Sequence, residues 1–228
     1  ETTAAGLILI SGWNGEQSAL VDPMCGSGTL AIEAALIATN TAPGLLRYGL
    51  GIKGSQETEK SRPSVVDWPH MSSHEWEDLW DEAARMDLRK DIYTEKRPPK
   101  IFINDLHPGA LELALRSARS AKVDHLLDFS NEEAIDYQPR CSEVGMIVTN
   151  PPWDIRLGNA HEAWSQLGDF ARRTLGTDSG PDGGVQRKRN MWCLSGNPKV
   201  VRYMNLEDSD RVALSAGKID LRFLKYSF

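Results

Sequence analysis

Two short stretches carry residues whose types and order can do chemistry. The first is Val21-Asp22-Pro23-Met24-Cys25-Gly26-Ser27-Gly28-Thr29. Gly26 and Gly28 carry no Cβ and reach positive φ without strain, so a turn built on them lets a ligand approach the backbone closely. Asp22 adds a carboxylate for a cationic or hydroxyl-bearing ligand. The second stretch is Asn150-Pro151-Pro152-Trp153. Its two prolines fix φ and remove two backbone donors, which leaves a stiff turn that presents carbonyls. Asn150 sets a side-chain acceptor beside those carbonyls, and Trp153 offers a flat face on which a base can stack.

Both stretches need a frame to position them. A short apolar run, Ala19 to Val21, precedes the glycines, and a run of helix formers, Leu30 to Ala38, follows them. Strand, glycine turn and helix in that order form the first unit of a nucleotide-binding α/β sheet. Glu33, early in that helix, suits the positive end of the helix dipole and serves equally well as a ligand contact. Val144 to Thr149 is a second buried-strand pattern and ends in the proline loop. Both loops therefore sit at carboxyl ends of strands, where open α/β sheets bind ligands.

The rest of the chain reads in the same alternating way. Ala4 to Trp13 is a helix stopped by Gly12 and the Asn14-Gly15 turn, and the helix after the glycine turn stops at Ala42-Pro43-Gly44. Pro99 to Asp105 is a strand, Pro108 heads a helix from Gly109 to Ala121, and Leu126 to Phe129 is a third strand. Ala160 to Leu175 has core spacing at Ala163, Trp164, Leu167, Phe170 and Ala171. Met191 to Ser195 is a strand and Pro198 to Met204 a short helix. Arg211 to Leu214 and Ile219 to Tyr226 alternate as an antiparallel pair, with Ser215-Ala216-Gly217-Lys218 as the turn.

From Leu45 to Pro99 the pattern breaks into an inserted excursion, with Gly51 to Pro69 polar and punctuated. His74 to Arg89 has helix spacing, with Trp76, Leu79, Trp80, Ala83 and Ala84 on one side, a stripe read as core packing, with base stacking by the Trp pair as the alternative. His70 and His74 have a metal-chelating spacing but no third ligand nearby, so they read as surface residues.

A chain of 228 residues suits one α/β domain. Its hydrophobic content of 40% and charged content of 25% are ordinary for a soluble globular protein. No apolar run approaches the roughly 20 residues that span a membrane. Three widely spaced cysteines argue against a disulfide framework or structural zinc and fit an intracellular, reducing compartment, cytoplasmic by default. Glu1-Thr2-Thr3 reads as the middle of something longer, so targeting to a nucleus or organelle stays open. The net charge of -6 lacks the basic footprint of a protein that grips nucleic acid unaided. Arg187-Lys188-Arg189 is a small basic cluster that reads as a solvated face within reach of phosphate.

Asp-Pro-Met-Cys-Gly-Ser-Gly-Thr followed by Asn-Pro-Pro-Trp resembles the S-adenosylmethionine-dependent methyltransferases that modify amino nitrogens. The chain is most similar to the RNA guanine-N2 branch, whose members carry an RNA-binding THUMP domain upstream. The Pro43-Gly44 stop, Leu45-Leu46-Arg47 and the helix bearing Trp76 and Trp80 also match how that branch fills this interval. The resemblance implies a Rossmann-like class I fold: a mostly parallel seven-stranded sheet with an antiparallel last strand and helices on both faces. It implies S-adenosylmethionine as cofactor, with no metal required. The cofactor would be lined by Asp22, Pro23, Cys25, Gly26, Ser27, Gly28 and Thr29, with Asp105 and Leu106 at the ribose, Glu133 near the adenine, and Asn150. Asn150 and the Pro151 carbonyl would accept the hydrogens of the guanine amino group, while Pro152 stiffens the loop and Trp153 stacks on the extruded base.

The implied substrate is ribosomal or transfer RNA, held mainly by an upstream domain or a partner protein. His107 stands where the family often has an acid, Ser117 where Asn is common, and Asp154-Ile155 where relatives show Gly-Glu. Adenine N6, a protein glutamine amide, or a non-catalytic cofactor-binding subunit remain alternative readings.

Overall fold

A computed structural model describes residues 1–16, 18–47, 68–70, 73–89, 100–153, 160–176, 189–216 and 219–228. Asp154 to Gly158, Arg187, Lys188, the Gly217-Lys218 turn and the polar excursion up to Asp67 lie outside the described residues. By compactness the chain separates into Glu1–Ala35 with Pro99–Phe228, and Leu36–Pro98.

The first unit opens with α1 (Thr2–Ser11), closed by Gly12 in the left-handed region at φ 78°. β1 (Ala19–Asp22) follows, then the glycine turn and α2 (Thr29–Ala38), whose end lies in the second unit. After the second unit come β2 (Ile101–Asn104), α5 (Pro108–Ser120), β3 (Leu127–Ser130) and β4 (Val144–Thr149). The chain then runs through α6 (Ala160–Leu175), β5 (Asn190–Ser195), α7 (Pro198–Val201), β6 (Asp210–Ala216) and β7 (Ile219–Ser227). The strands were expected at these places, and their observed ends differ by at most two residues. The helix expected over Pro198 to Met204 instead divides into α7 and a 3-10 turn, Arg202–Met204, because Asn205 takes a left-handed φ of 51° and closes it.

Among the described residues the strands form one seven-stranded sheet in the order β3-β2-β1-β4-β5-β7-β6. β3, β2, β1, β4 and β5 pair in parallel, and β7 runs antiparallel to both β5 and β6. This is the expected class I methyltransferase architecture, with the order reversing between β1 and β4. Parallel strands buried on both faces read as continuous apolar runs, which is why Ala19-Leu20-Val21 shows no alternation. On one face Val21, Ile147, Met191 and Tyr226 pack with Trp164, Leu167, Phe170 and Ala171 of α6. On the other, Leu20, Ile101, Ile103 and Phe223 are just as completely buried. Each such side chain contributes about 1.5–3 kcal/mol on leaving water, so apolar burial on both faces stabilises the frame behind the loops.

In the second unit α3 (Pro43–Arg47) and α4 (Ser73–Met86) stand beside the end of α2. Asp87 accepts from the Thr41 hydroxyl at 2.9 Å and the Arg89 Nε at 2.9 Å. Trp76 and Trp80 lie with ring centroids 5.5 Å apart and are half-buried. Leu79, expected on the same packed side, is 54% exposed and lines a surface groove with the acidic Glu75, Asp78 and Glu82 instead of the core. His70 and His74 are exposed, as expected.

Candidate active site

The glycine turn is fixed from three directions. Gly26 and Gly28 take φ of 53° and 74°, the left-handed region open to glycine. A Cβ on Gly28 would lie 2.9 Å from the Cβ of Ala114 on α5, whereas one on Gly26 would meet nothing within 4 Å. Gly28 is thus required by packing as well as by φ, and Gly26 is the glycine with free space around it. The N–H of Cys25 donates to the Asn104 carbonyl at 2.9 Å, and the N–H of Gly26 donates to Asp105 Oδ2 at 2.8 Å. Ser27 and Thr29 pair through their hydroxyls at 3.0 Å, and Pro23 is buried.

Asp105 is therefore the carboxylate that clamps the turn, and its Oδ1 also accepts from the His107 N–H at 2.9 Å. Each carboxylate oxygen keeps a second lone pair, so this clamp can still receive hydroxyl groups. Leu106, next to it, is 51% exposed. The neighbouring Asn104 was not singled out from the sequence, yet it ties three strand ends together. Fully buried, it donates to the Pro23 carbonyl at 3.0 Å and the Glu132 carbonyl at 2.9 Å, and accepts from the Glu132 N–H at 2.9 Å. A lone polar residue closing the apolar run Ile101-Phe102-Ile103 was the available signal.

Asp22 ends β1 with only 1% exposure. Burial pushes its carboxyl up to about 7, assisted by the charge of Asp105 and partly opposed by Thr149 and by the Met24 N–H. Oδ1 accepts from that N–H at 3.2 Å. The Thr149 hydroxyl lies near enough to temper the shift, but among the described residues neither it nor Asp22 Oδ2 completes a hydrogen bond. A buried carboxyl oxygen without a partner is costly, and this one sits at the end of β1, beside the end of β4. Cys25 is also buried, and burial, with Asp22 and Asp105 adding to it, drives its thiol far above the ordinary range. It is a packing residue of the turn rather than a nucleophile.

β1 and β4 are neighbours, with Val21 opposite Ile147, so the proline loop leaves the sheet beside the glycine turn. Asn150 is exposed and Pro151 buried; Pro152 and Trp153 are half-buried. The Pro152 carbonyl is taken by the Trp164 Nε1–H at 2.8 Å. Asn150 Oδ1 accepts from the Trp153 indole N–H at 3.3 Å. Glu133 is exposed and accepts from Gln166 on α6 at 3.3 Å, whereas the adjacent Glu132 accepts from Ser130 at 2.6 Å. Asp22, Gly26, Asp105 and Asn150 thus share one end of the sheet, while the partner seen for Glu133 lies on a helix.

The RMKL-like methyltransferase domain model matches residues 1–223. The chain belongs to this family. S-adenosylmethionine is the methyl donor of such domains, and the residues present fit it: an open glycine turn at Gly26, a carboxylate clamp at Asp105 and an unpartnered buried oxygen on Asp22. The chain is 36% identical over 180 residues to the ribosomal RNA large subunit methyltransferase K/L of Shewanella frigidimarina, covering 77% of this chain and 23% of that protein. A possible methylase from Clostridium difficile 630 superposes with a TM-score of 0.75 at 25% identity, over 99% of this chain and 52% of that one. SMU.472, described as a methyltransferase and solved with S-adenosylhomocysteine, gives a TM-score of 0.75 at 19% identity over 98% of this chain and 51% of its own, a likeness of fold. Among the described residues no helix is long and apolar enough to cross a membrane.

Proposed function

We infer that the chain catalyses methyl transfer to the exocyclic N2 of a guanine in RNA. Ribosomal RNA is favoured over transfer RNA by the large-subunit enzymes it resembles. The observation that carries this reading is the placement of a stiff acceptor loop, Asn150 to Trp153, on the strand adjacent to the Asp22–Gly26–Asp105 turn. S-adenosylmethionine would supply a methyl group already activated by its sulfonium, so the chain's own work is binding and orientation. Asp105 and the Gly26–Thr29 turn hold the ribose and methionine end, with Leu106 beside them and Glu133 reserved for the adenine. Asn150 Oδ1 and the Pro151 carbonyl accept the two amino hydrogens, since the Pro152 carbonyl is already engaged by Trp164. Two such bonds turn the nitrogen lone pair toward the methyl, and holding that near-attack geometry is the main source of rate. The half-buried Trp153 stacks on the extruded base.

A formal charge of -6 supports a reading in which most of the RNA grip lies elsewhere, in an upstream domain or a partner protein. Nucleoside mass spectrometry of ribosomal and transfer RNA, from cells with and without the complete protein, tests the acceptor. Loss of N2-methylguanosine is expected. Its persistence, or loss of N6-methyladenosine instead, would overturn the assignment.

A further inference from the structure

The turn that ends β5 touches the acceptor loop in a way that no part of the reading above uses. A Cβ on Gly196 would lie 2.9, 3.0 and 3.1 Å from Cζ3, Cε3 and Cη2 of Trp153. Only a residue without a side chain leaves room there for the six-membered ring of the indole. Next to it, Asn197 Nδ2 donates to the Trp153 carbonyl at 3.2 Å, while Asn197 Oδ1 caps α7 by accepting from the Lys199 N–H at 3.0 Å. Asn197 is itself fixed by Ser195, 2% exposed, whose hydroxyl donates to its carbonyl at 3.0 Å and accepts from its N–H at 3.2 Å. The ring is thus seated by Gly196, and the backbone beneath it is tied down by Asn197. Seated so, the indole presents its N–H to Asn150 Oδ1.

We propose that Ser195-Gly196-Asn197 is a seat for Trp153, and that Trp153 acts through its indole N–H as a positioning residue that fixes the side-chain oxygen of Asn150. The proposal rests on the reading that Asn150 receives the acceptor amino group. An Asn side chain can present either its oxygen or its NH2 to a ligand, and only the oxygen can receive an amino hydrogen. A fixed N–H on one lone pair of Oδ1 selects the productive orientation and leaves the other lone pair for the incoming hydrogen. Phe at this position would keep a stacking face and lose the donor, so aromaticity alone does not satisfy the site.

Steady-state kinetics of the complete protein on large-subunit ribosomal RNA lacking the modification, together with cofactor affinity by calorimetry, test both levels. Asn150→Ala is the control for the underlying reading: if it retains turnover, that reading fails and this proposal with it. With that control inactive, Trp153→Phe is expected to lower kcat about tenfold, one lost hydrogen bond of about 1.4 kcal/mol. KM for RNA and cofactor affinity should stay within about twofold of wild type, this being an orienting and not a binding contact. A raised KM with intact kcat would make Trp153 a stacking plate only and overturn the proposal while sparing the reading. Wild-type kinetics would do the same. Gly196→Ala provides a second route that leaves Trp153 in place. It should lower kcat in the wild-type background and add little on top of Trp153→Phe, as coupled neighbours do; equal effects in both backgrounds would overturn the seat.

Discussion

The two loops at the carboxyl ends of β1 and β4 are held by different physics. The glycine turn is knotted to its neighbours by the hydrogen bonds of two buried or half-buried side chains: Asn104 donates to the Pro23 and Glu132 carbonyls, and Asp105 accepts from the Gly26 and His107 N–H groups. The acceptor loop relies on proline stiffness, bonds from Trp164 and Asn197 to its carbonyls and the seating of an aromatic ring, and it leaves Asn150 exposed. A ligand that is the same in every turnover suits a turn whose groups are already committed. A base delivered from outside suits a loop whose candidate acceptor, Asn150, stays exposed while the Trp153 indole orients it. Damage to the first region should therefore appear in cofactor affinity and stability, and damage to the second in turnover.

The largest expected effect is a pH dependence of the first region. Asp22 is raised to about 7 by burial, against an ordinary value of 3.8. Between these values the native state holds a proton that the unfolded chain has released, so stability falls as pH rises from about 4 to about 7 and then levels off. At about 1.36 kcal/mol per pH unit, the loss is on the order of 4 kcal/mol. Chemical denaturation at pH 5 and pH 8 should show a wild-type decline that exceeds that of Asp22→Asn by about 3 kcal/mol. Parallel declines would show that the carboxyl is not held protonated.

The second effect falls on the other loop. Asn150→Ala should lower kcat by about 10²–10³-fold, as loss of one oriented polar contact to the reacting group does elsewhere. Calorimetry with S-adenosylhomocysteine should give nearly the wild-type affinity, because Asn150 hydrogen-bonds to Trp153 and not to the glycine turn. A parallel loss of affinity would erase the distinction between the loops.

The third returns to the turn. Asp105→Ala removes charge-assisted hydrogen bonds worth roughly 1.5–3 kcal/mol, so cofactor affinity should fall about ten- to a hundredfold. The geometry adds that Gly26 loses the acceptor for its N–H, so the ligand-free melting temperature should drop as well. Unchanged calorimetric affinity would remove Asp105 from the site.

What the sequence made legible follows from the range of each interaction. Period and punctuation are local, so Ala19-Leu20-Val21, Val144 to Thr149 and the antiparallel ending were readable, as were the motifs that sit on the chain as contiguous strings. Asn104 was not, because its partners Pro23 and Glu132 lie 81 and 28 residues away. The same holds for Gly196: nothing beside it in the chain announces that Trp153 will lie against it. The short helix beginning at Pro198 was readable, but the bond from Asn197 beside it to Trp153 spans 44 residues. Leu79 shows the converse failure, since helical spacing marks a face without saying how wide the buried stripe is.

The smallest expected effect separates two glycines of one turn. Gly26 and Gly28 both have positive φ, so alanine at either adds roughly 1–2 kcal/mol of left-handed strain. At Gly28 the new Cβ also meets Ala114 at 2.9 Å, while at Gly26 it meets nothing. Overpacking adds about 1 kcal/mol or more when the neighbour is another element's backbone-proximal atom, and Ala114 has no longer side chain to swing away. Gly28→Ala should therefore melt several degrees below Gly26→Ala, since about 1 kcal/mol corresponds to about 2–4 °C in a domain of this size. Cofactor affinity should rank the other way, with Gly26→Ala weaker, because its methyl enters the open side of the turn. Calorimetric melting and titration of the two variants side by side decide it. Equal melting temperatures would mean that α5 yields to the turn, and that both glycines serve backbone conformation alone.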